Sequence, residues 1–194
     1  WAHLDHNNLW YDLLAAASQE SSTAAVLIST WLGKIAQSEL EFIHAMEVLR
    51  DYSLIEETED QRGYATHPVV QKWALHMQNN VERKVFSQLA LVVVGFAVPA
   101  SEKLNDNVLR TQLLPHADLC MKDFEGHVRD VMDEHEYEDI LTVLRALYSI
   151  GSLFSSVGQA EKAEKIHTLA IEAYESAFGQ PQYSNLAQGS YDSN

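Results

Sequence analysis

Apolar residues recur along this chain at helical intervals. Leu9, Trp10, Leu13 and Leu14 share one helix face, and Leu27, Ile28, Trp31, Leu32 and Ile35 share another. Ser38 followed by Glu41 is a capping-box pattern, in which the two side chains satisfy N–H groups that a helix start leaves open. It predicts a third helix carrying Phe42, Ile43, Met46 and Leu49 inward. The period then changes. Residues 52–56 and 64–66 are short and β-prone, and the polar turn between them holds Gly63, which can supply a positive φ. That pattern predicts a small hairpin. Pro68 stands where a first helical turn tolerates it, and Val69, Val70, Trp73, Ala74 and Met77 resume helical spacing.

The longest uncharged stretch, 85–101, holds Ser87, Gln88 and Pro99 and falls short of the roughly 20 apolar residues of a membrane span. It predicts a buried core helix. A polar break at 101–107 leads to a helix over 108–122 with Leu109, Leu113, Leu114, Ala117 and Cys120 on one side. The charged stretch 123–139, with Gly126, reads as an exposed linker or a frayed helix start, and helices at 138–157 and 160–178 follow, separated by Gly158. The fold class expected is mainly α. Residues 1–80 form a winged-helix module with a small β-hairpin, 81–137 a helical linker, 138–180 a helical hairpin, and 181–194 a polar tail. Beginning at Trp1 without a methionine, the chain reads as an excerpt from a longer one.

Charge narrows the function. With 28 acidic and 13 basic residues the net charge is -15, and a polyanion repels phosphate backbones and anionic membrane surfaces. Winged helices most often bind DNA through the third helix. Here that helix offers Glu39, Glu41, Glu47 and Asp51 against Arg50, the wrong sign for a major groove. Neither nucleic acid nor membrane is an expected partner. A lone cysteine, Cys120, forms no internal disulfide and suits a reducing, cytoplasmic setting.

From Arg145 onward, Leu147, Ile150, Gly151, Phe154, Gly158, Ala163 and Ala170 match the tetratricopeptide signature in type and spacing, with His167 in place of the usual aromatic. Small residues belong where two antiparallel helices touch, and a glycine where the chain turns. The extended second helix, through Phe178 and Gly179, resembles the longer repeat of kinesin light chains. One repeat cannot bury its outer face, so this segment reads as the start of an α-solenoid. Arg145, Tyr148, Ser152 and Ser155 fall on one face of the first helix and are the candidate protein-binding groove; the same spacing also suits a solvated face.

The run 46–56, followed by Tyr64-Ala65-Thr66-His67-Pro68-Val69-Val70, resembles the winged-helix part of NB-ARC-type STAND ATPases, most closely the NLR-like NB-ARC/tetratricopeptide proteins of filamentous fungi. In that family a Met-His-Asp motif follows the strand, and its histidine touches the phosphates of bound ADP. The resemblance places His67 on that histidine, with Thr66 and Pro68 in the flanking positions. A histidine at a strand-to-helix junction lies near open N–H groups and the positive end of the helix dipole, where phosphate is favoured. From spacing alone, a capping or core histidine is the better fit, and it is the resemblance that sets the phosphate-sensing role beside it.

The resemblance implies a signal-transduction segment that couples nucleotide state to protein binding through the repeats, in a parent that can self-associate. The alternative is a free-standing tetratricopeptide adaptor with no nucleotide link. The sequence contains no Gly-x-x-x-x-Gly-Lys-Ser/Thr loop, so no cofactor is expected in this segment, and ADP or ATP would be held elsewhere in the parent. No catalytic residues are expected. His116 and Cys120 share a helix face, and His127 or His135 could join them, but the spacing completes no tetrahedral metal set. No Gly-x-Ser-x-Gly elbow occurs, and Asp133-Glu134 lie in the charged stretch, where solvation suits them better than acid–base work.

Overall fold

The computed structural model describes residues 1–20, 26, 30–59, 63–99, 106–124 and 137–178. The protein is mainly helical. Among these residues lie α1 (Tyr11–Glu20), α2 (Glu39–Asp51), β1 (Ile55–Glu57), β2 (Tyr64–Thr66), α3 (Pro68–Met77), α4 (Asn80–Ala97), α5 (Asp106–Phe124), α6 (Tyr137–Ser156) and α7 (Ala160–Phe178), with a 3-10 turn at Gly33–Ala36.

The uncharged stretch forms the second half of α4 and sits in the middle of the molecule. A reciprocal capping box starts the helix. Asn79 Oδ1 accepts from the Glu82 N–H and Glu82 Oε2 accepts from the Asn79 N–H, both at 2.9 Å. Every residue from Ser87 to Gly95 is buried, because α1, α5 and α6 each pack against the helix. At Gly95 the approach to α6 is so close that an added Cβ would lie 2.6 Å from both Cα and Cβ of Ala146. One contiguous apolar core runs from Leu4 and Leu13 through Leu91 and Val94 to Ile150 and Ala177, across sequence positions 80 and 137. Among the described residues no helix is long and apolar enough to cross a membrane.

The N-terminal residues are a strap, a role the helical period of Leu9 and Trp10 concealed. Helix α1 begins only at Tyr11. Leu9 instead pairs antiparallel with Tyr64, exchanging two 2.8 Å backbone hydrogen bonds, while the Thr66 N–H donates to His6 O. The strap thus adds an edge to the hairpin, in which Ile55, Glu56 and Glu57 face Thr66, Ala65 and Tyr64. This corrects the reading of Gly63. Its φ is not positive; an added Cβ would stand 2.3 Å from Asn8 Oδ1 and 2.9 Å from Leu9 O, so the glycine is needed for the approach of the strap.

Around α2 the pattern holds with two corrections. Ser38 Oγ accepts from the Glu41 N–H at 3.5 Å, but the Ser38 N–H donates to Lys34 O, so only half of the expected box forms. Phe42 and Met46 are buried whereas Ile43 is exposed. Helices after the hairpin match the sequence pattern closely: α6 ends and α7 begins around Gly158, whose φ is +78°. Residues 21–25 and 27–29, with Leu27 and Ile28, and the charged stretch 125–136 lie outside the described residues, as does the tail from 179.

Helix α2 closes in a Schellman geometry: the Ser53 N–H donates to Arg50 O at 2.8 Å and the Leu54 N–H to Leu49 O at 3.0 Å. That geometry needs a left-handed residue, and here a serine takes it, at φ 56°. Ser53→Gly removes the Cβ penalty and is expected to stabilise the fold by roughly 1 kcal/mol in urea unfolding. No gain would mean that the serine is held without strain.

Candidate functional site

Three of the four groove residues come together. Arg145, Tyr148 and Ser152 line a cavity of about 490 Å³ with the end of α4, Arg110 of α5, and Ser149, Leu153 and Ser156 of α6. Ser155 is exposed and lies outside that wall, one position away from Ser156, which takes part. The Arg145 guanidinium lies over the Phe96 ring, 4.9 Å from its centroid. The Tyr148 ring is 5.4 Å from that of His167. His167 occupies the space that Gly151 leaves open: an added Cβ there would come within 2.5 Å of the imidazole. The small residue read from the sequence therefore has a partner, and that partner is the residue that departs from the repeat pattern. Arg110 was not anticipated, because its helix is separated in sequence from α6.

His67 is the N-cap of α3. Its Nδ1 accepts from the Val69 N–H at 3.2 Å, with Pro68 in the first helical turn. The neutral ring then carries its proton on Nε2, which remains able to donate. His67 is exposed and lines a small cavity of about 210 Å³ with His6, Ser53 and Glu56. The helix it caps buries none of its residues: Val69, Trp73 and Met77 form a row at i, i+4 and i+8, exposed by 65%, 60% and 64%. The apolar spacing predicted the helix, while its outward face could not be read from spacing.

Beneath the strap lies a buried polar cluster. The His3 Nδ1–H donates to Asp123 Oδ2 at 3.0 Å, and its Nε2 lies 2.8 Å from Gln78 Oε1. Gln71 Nε2 donates to the carbonyls of Ala2 and Leu4. Cys120 Sγ donates to His3 O at 3.4 Å, and burial pushes its thiol above the usual range. His116 Nδ1 accepts from the Asp5 N–H at 3.1 Å, and its ring meets Trp10 edge-on at 5.6 Å. His116 and Cys120 thus share a face, as their spacing requires, but both are used to hold the strap. Among the described residues no group of three His, Cys, Asp or Glu side chains is arranged to hold a metal. His127 and His135 lie outside the described residues.

Burial lowers the pKa of His116 to about 4, with the Asp5 carboxylate pulling the other way. A histidine whose folded pKa lies below its unfolded value near 6.5 contributes stability that is present above that unfolded value. The contribution is lost as pH falls toward the folded pKa. Between pH 7 and pH 4 the native chain should lose about 3 kcal/mol more unfolding free energy than His116→Gln, measured by urea titration at each pH. Parallel pH profiles for the two proteins would contradict this.

The sequence matches no family model, no curated protein and no solved structure.

Proposed function

We propose that this chain is a non-catalytic regulatory segment of a nucleotide-switched, NB-ARC-type signalling protein. In this reading a winged-helix module at its N-terminal end reports nucleotide state, and a tetratricopeptide-type array beginning at α6 holds a protein partner. The observation that carries the reading is the start of α3. His67 uses Nδ1 to cap the helix and keeps Nε2–H for an acceptor, and directly after it runs the exposed row Val69, Trp73 and Met77. A phosphate acceptor at His67 and an apolar domain face on that row are what the NB-ARC resemblance implies, and exposed apolar rows of this kind mark contact surfaces.

The C-terminal half supports the second part. Helices α6 and α7 form an antiparallel pair closed at Gly158, with Gly151 and Ala163 at their contact. On the far side of α7, Ile171 and Tyr174 are 59% and 55% exposed, the unburied outer face expected where a further repeat stacks. The resemblance adds ADP or ATP in the parent, a cytoplasmic setting and room for self-association.

Calorimetric titration of ADP into the native polypeptide extended upstream of Trp1, with and without His67→Ala, tests the link. The proposal expects ADP to bind, and the substitution to weaken it about tenfold or more, as for loss of a charge-assisted hydrogen bond. Absence of binding, or binding indifferent to His67, would remove the nucleotide switch and leave a protein-contact adaptor.

A further inference from the structure

Helix α2 exposes more large apolar side chains than it buries. Phe42 and Met46 are buried, and Phe42 meets the rings of Tyr11 and Tyr64 at 5.9 and 5.8 Å. Leu40, Ile43 and Val48 face solvent instead, as does Tyr52 at the C-cap. Leu40, His44, Val48 and Tyr52 follow at i, i+4, i+8 and i+12 and form one ridge along the outward side, in which Leu40, Val48 and Tyr52 are exposed by 60%, 55% and 75%. The buried rings hold the helix by its inner face, so the ridge is set in place before any partner arrives.

Charge narrows what the ridge can meet. By the helical period Glu41 flanks it on one side and Glu47 and Asp51 on the other, and all three are exposed. Among the described residues none of the three has an ion-pair partner, and Arg50, the one arginine or lysine of α2, is paired with Glu57. Lys34, on the turn before the helix, leaves the balance negative. Two of these charges work against the helix itself. Glu47 and Asp51 repel each other at i and i+4, and Asp51 adds a negative charge at the negative end of the helix dipole. Neither the exposed ridge nor these carboxylates help α2 to pack on the core.

We propose that this ridge docks a cationic amphipathic helix of a protein partner. A ridge at i±4 on a convex helix fits the groove of a second helix, whose apolar row packs along Leu40, Val48 and Tyr52. Lysine or arginine beside that row meets Glu41, Glu47 and Asp51 and relieves their repulsion. The same carboxylates repel nucleic-acid phosphates and anionic lipid, while a net charge of -15 draws a basic partner toward the chain. The site goes beyond the proposed function and is independent of His67 and of the α6–α7 pair, so loss of the nucleotide link would leave it standing.

The test follows backbone amide resonances of the protein during titration with acetyl-Leu-Lys-Lys-Ala-Leu-Lys-Ala-Lys-Leu-Lys-Lys-Ala-Leu-amide, at ionic strength held constant with sodium chloride. A twin with glutamate for each lysine, and a scrambled peptide of the same composition, are the references. Saturable shifts centred on residues 39–52 are expected with the lysine peptide alone, with the amides of Trp73 and Tyr174 unmoved. Glu47→Lys combined with Asp51→Lys should weaken binding about tenfold or more. The same double variant should leave the thermal midpoint unchanged or raised, which separates a lost contact from a lost fold. Shifts that never saturate, that spread over the whole surface, that the scrambled peptide reproduces, or that the double variant leaves unchanged would overturn the proposal. Shifts of α2 amides that grow with protein concentration in the absence of peptide would give the ridge to a second copy of this chain, and would overturn it as well.

Discussion

From Ser87 to Gly95 the α4 helix has no face toward water, and that burial dictates where the other helices go. A helix apolar on all sides needs cover on all sides. Helix α1 supplies it from the N-terminal half, while α5 and α6 supply it from the C-terminal half. The contact is tightest at Gly95, where the backbone of Ala146 occupies the place of a side chain. Each fully buried leucine or valine contributes on the order of 1.5–3 kcal/mol, so Leu91, Val92 and Val94 together outweigh any surface ion pair in this fold.

The strap complements this core from outside. Residues 1–9 carry polar groups that would be costly to bury unpaired, and several find partners on other elements: His3 on Asp123 of α5, the Ala2 and Leu4 carbonyls on Gln71 of α3, and Leu9 on Tyr64 of β2. The hairpin and α3 are thereby tied to α5, which packs on α4. The two candidate surfaces, His67 with the apolar row of α3 and the cavity at α6, are consequently joined only through the strap and the α4 core. In the proposed switch, any effect of nucleotide at one surface on a partner at the other would have to pass through α4 and the strap.

Much of this was legible in the sequence, for identifiable reasons. Periodicity located α2 through α7 to within a few residues, because their apolar spacing is regular and Pro68 and Gly158 mark boundaries. The hairpin and the small contact residue Gly151 were likewise readable. What could not be read depended on long-range pairing. Leu9 and Trp10 satisfy a helical period, yet Leu9 is held by Tyr64, far along the chain. Gly63 looked like a turn residue, but its requirement comes from Asn8 and Leu9. The capping box at Asn79 and Glu82 is a local signal present in the sequence, whereas the one expected at Ser38 forms only in part. At the candidate site, spacing along α6 brought Arg145, Tyr148 and Ser152 together but could not supply Arg110 or exchange Ser155 for Ser156. A single helix's period says nothing of what another helix adds.

The central claim is that α4 makes one cooperative core of both halves. Amide hydrogen exchange at graded low urea, on the native chain and on Gly95→Val, measures it directly. Amides of residues 91–94 in α4, Leu13 in α1 and Leu147 in α6 should open with one free energy and one urea dependence. The substitution should lower all of them together by about 2 kcal/mol through overpacking against Ala146. Separate opening of residues 1–77 at lower free energy, with the variant affecting only α6 and α7, would contradict the account.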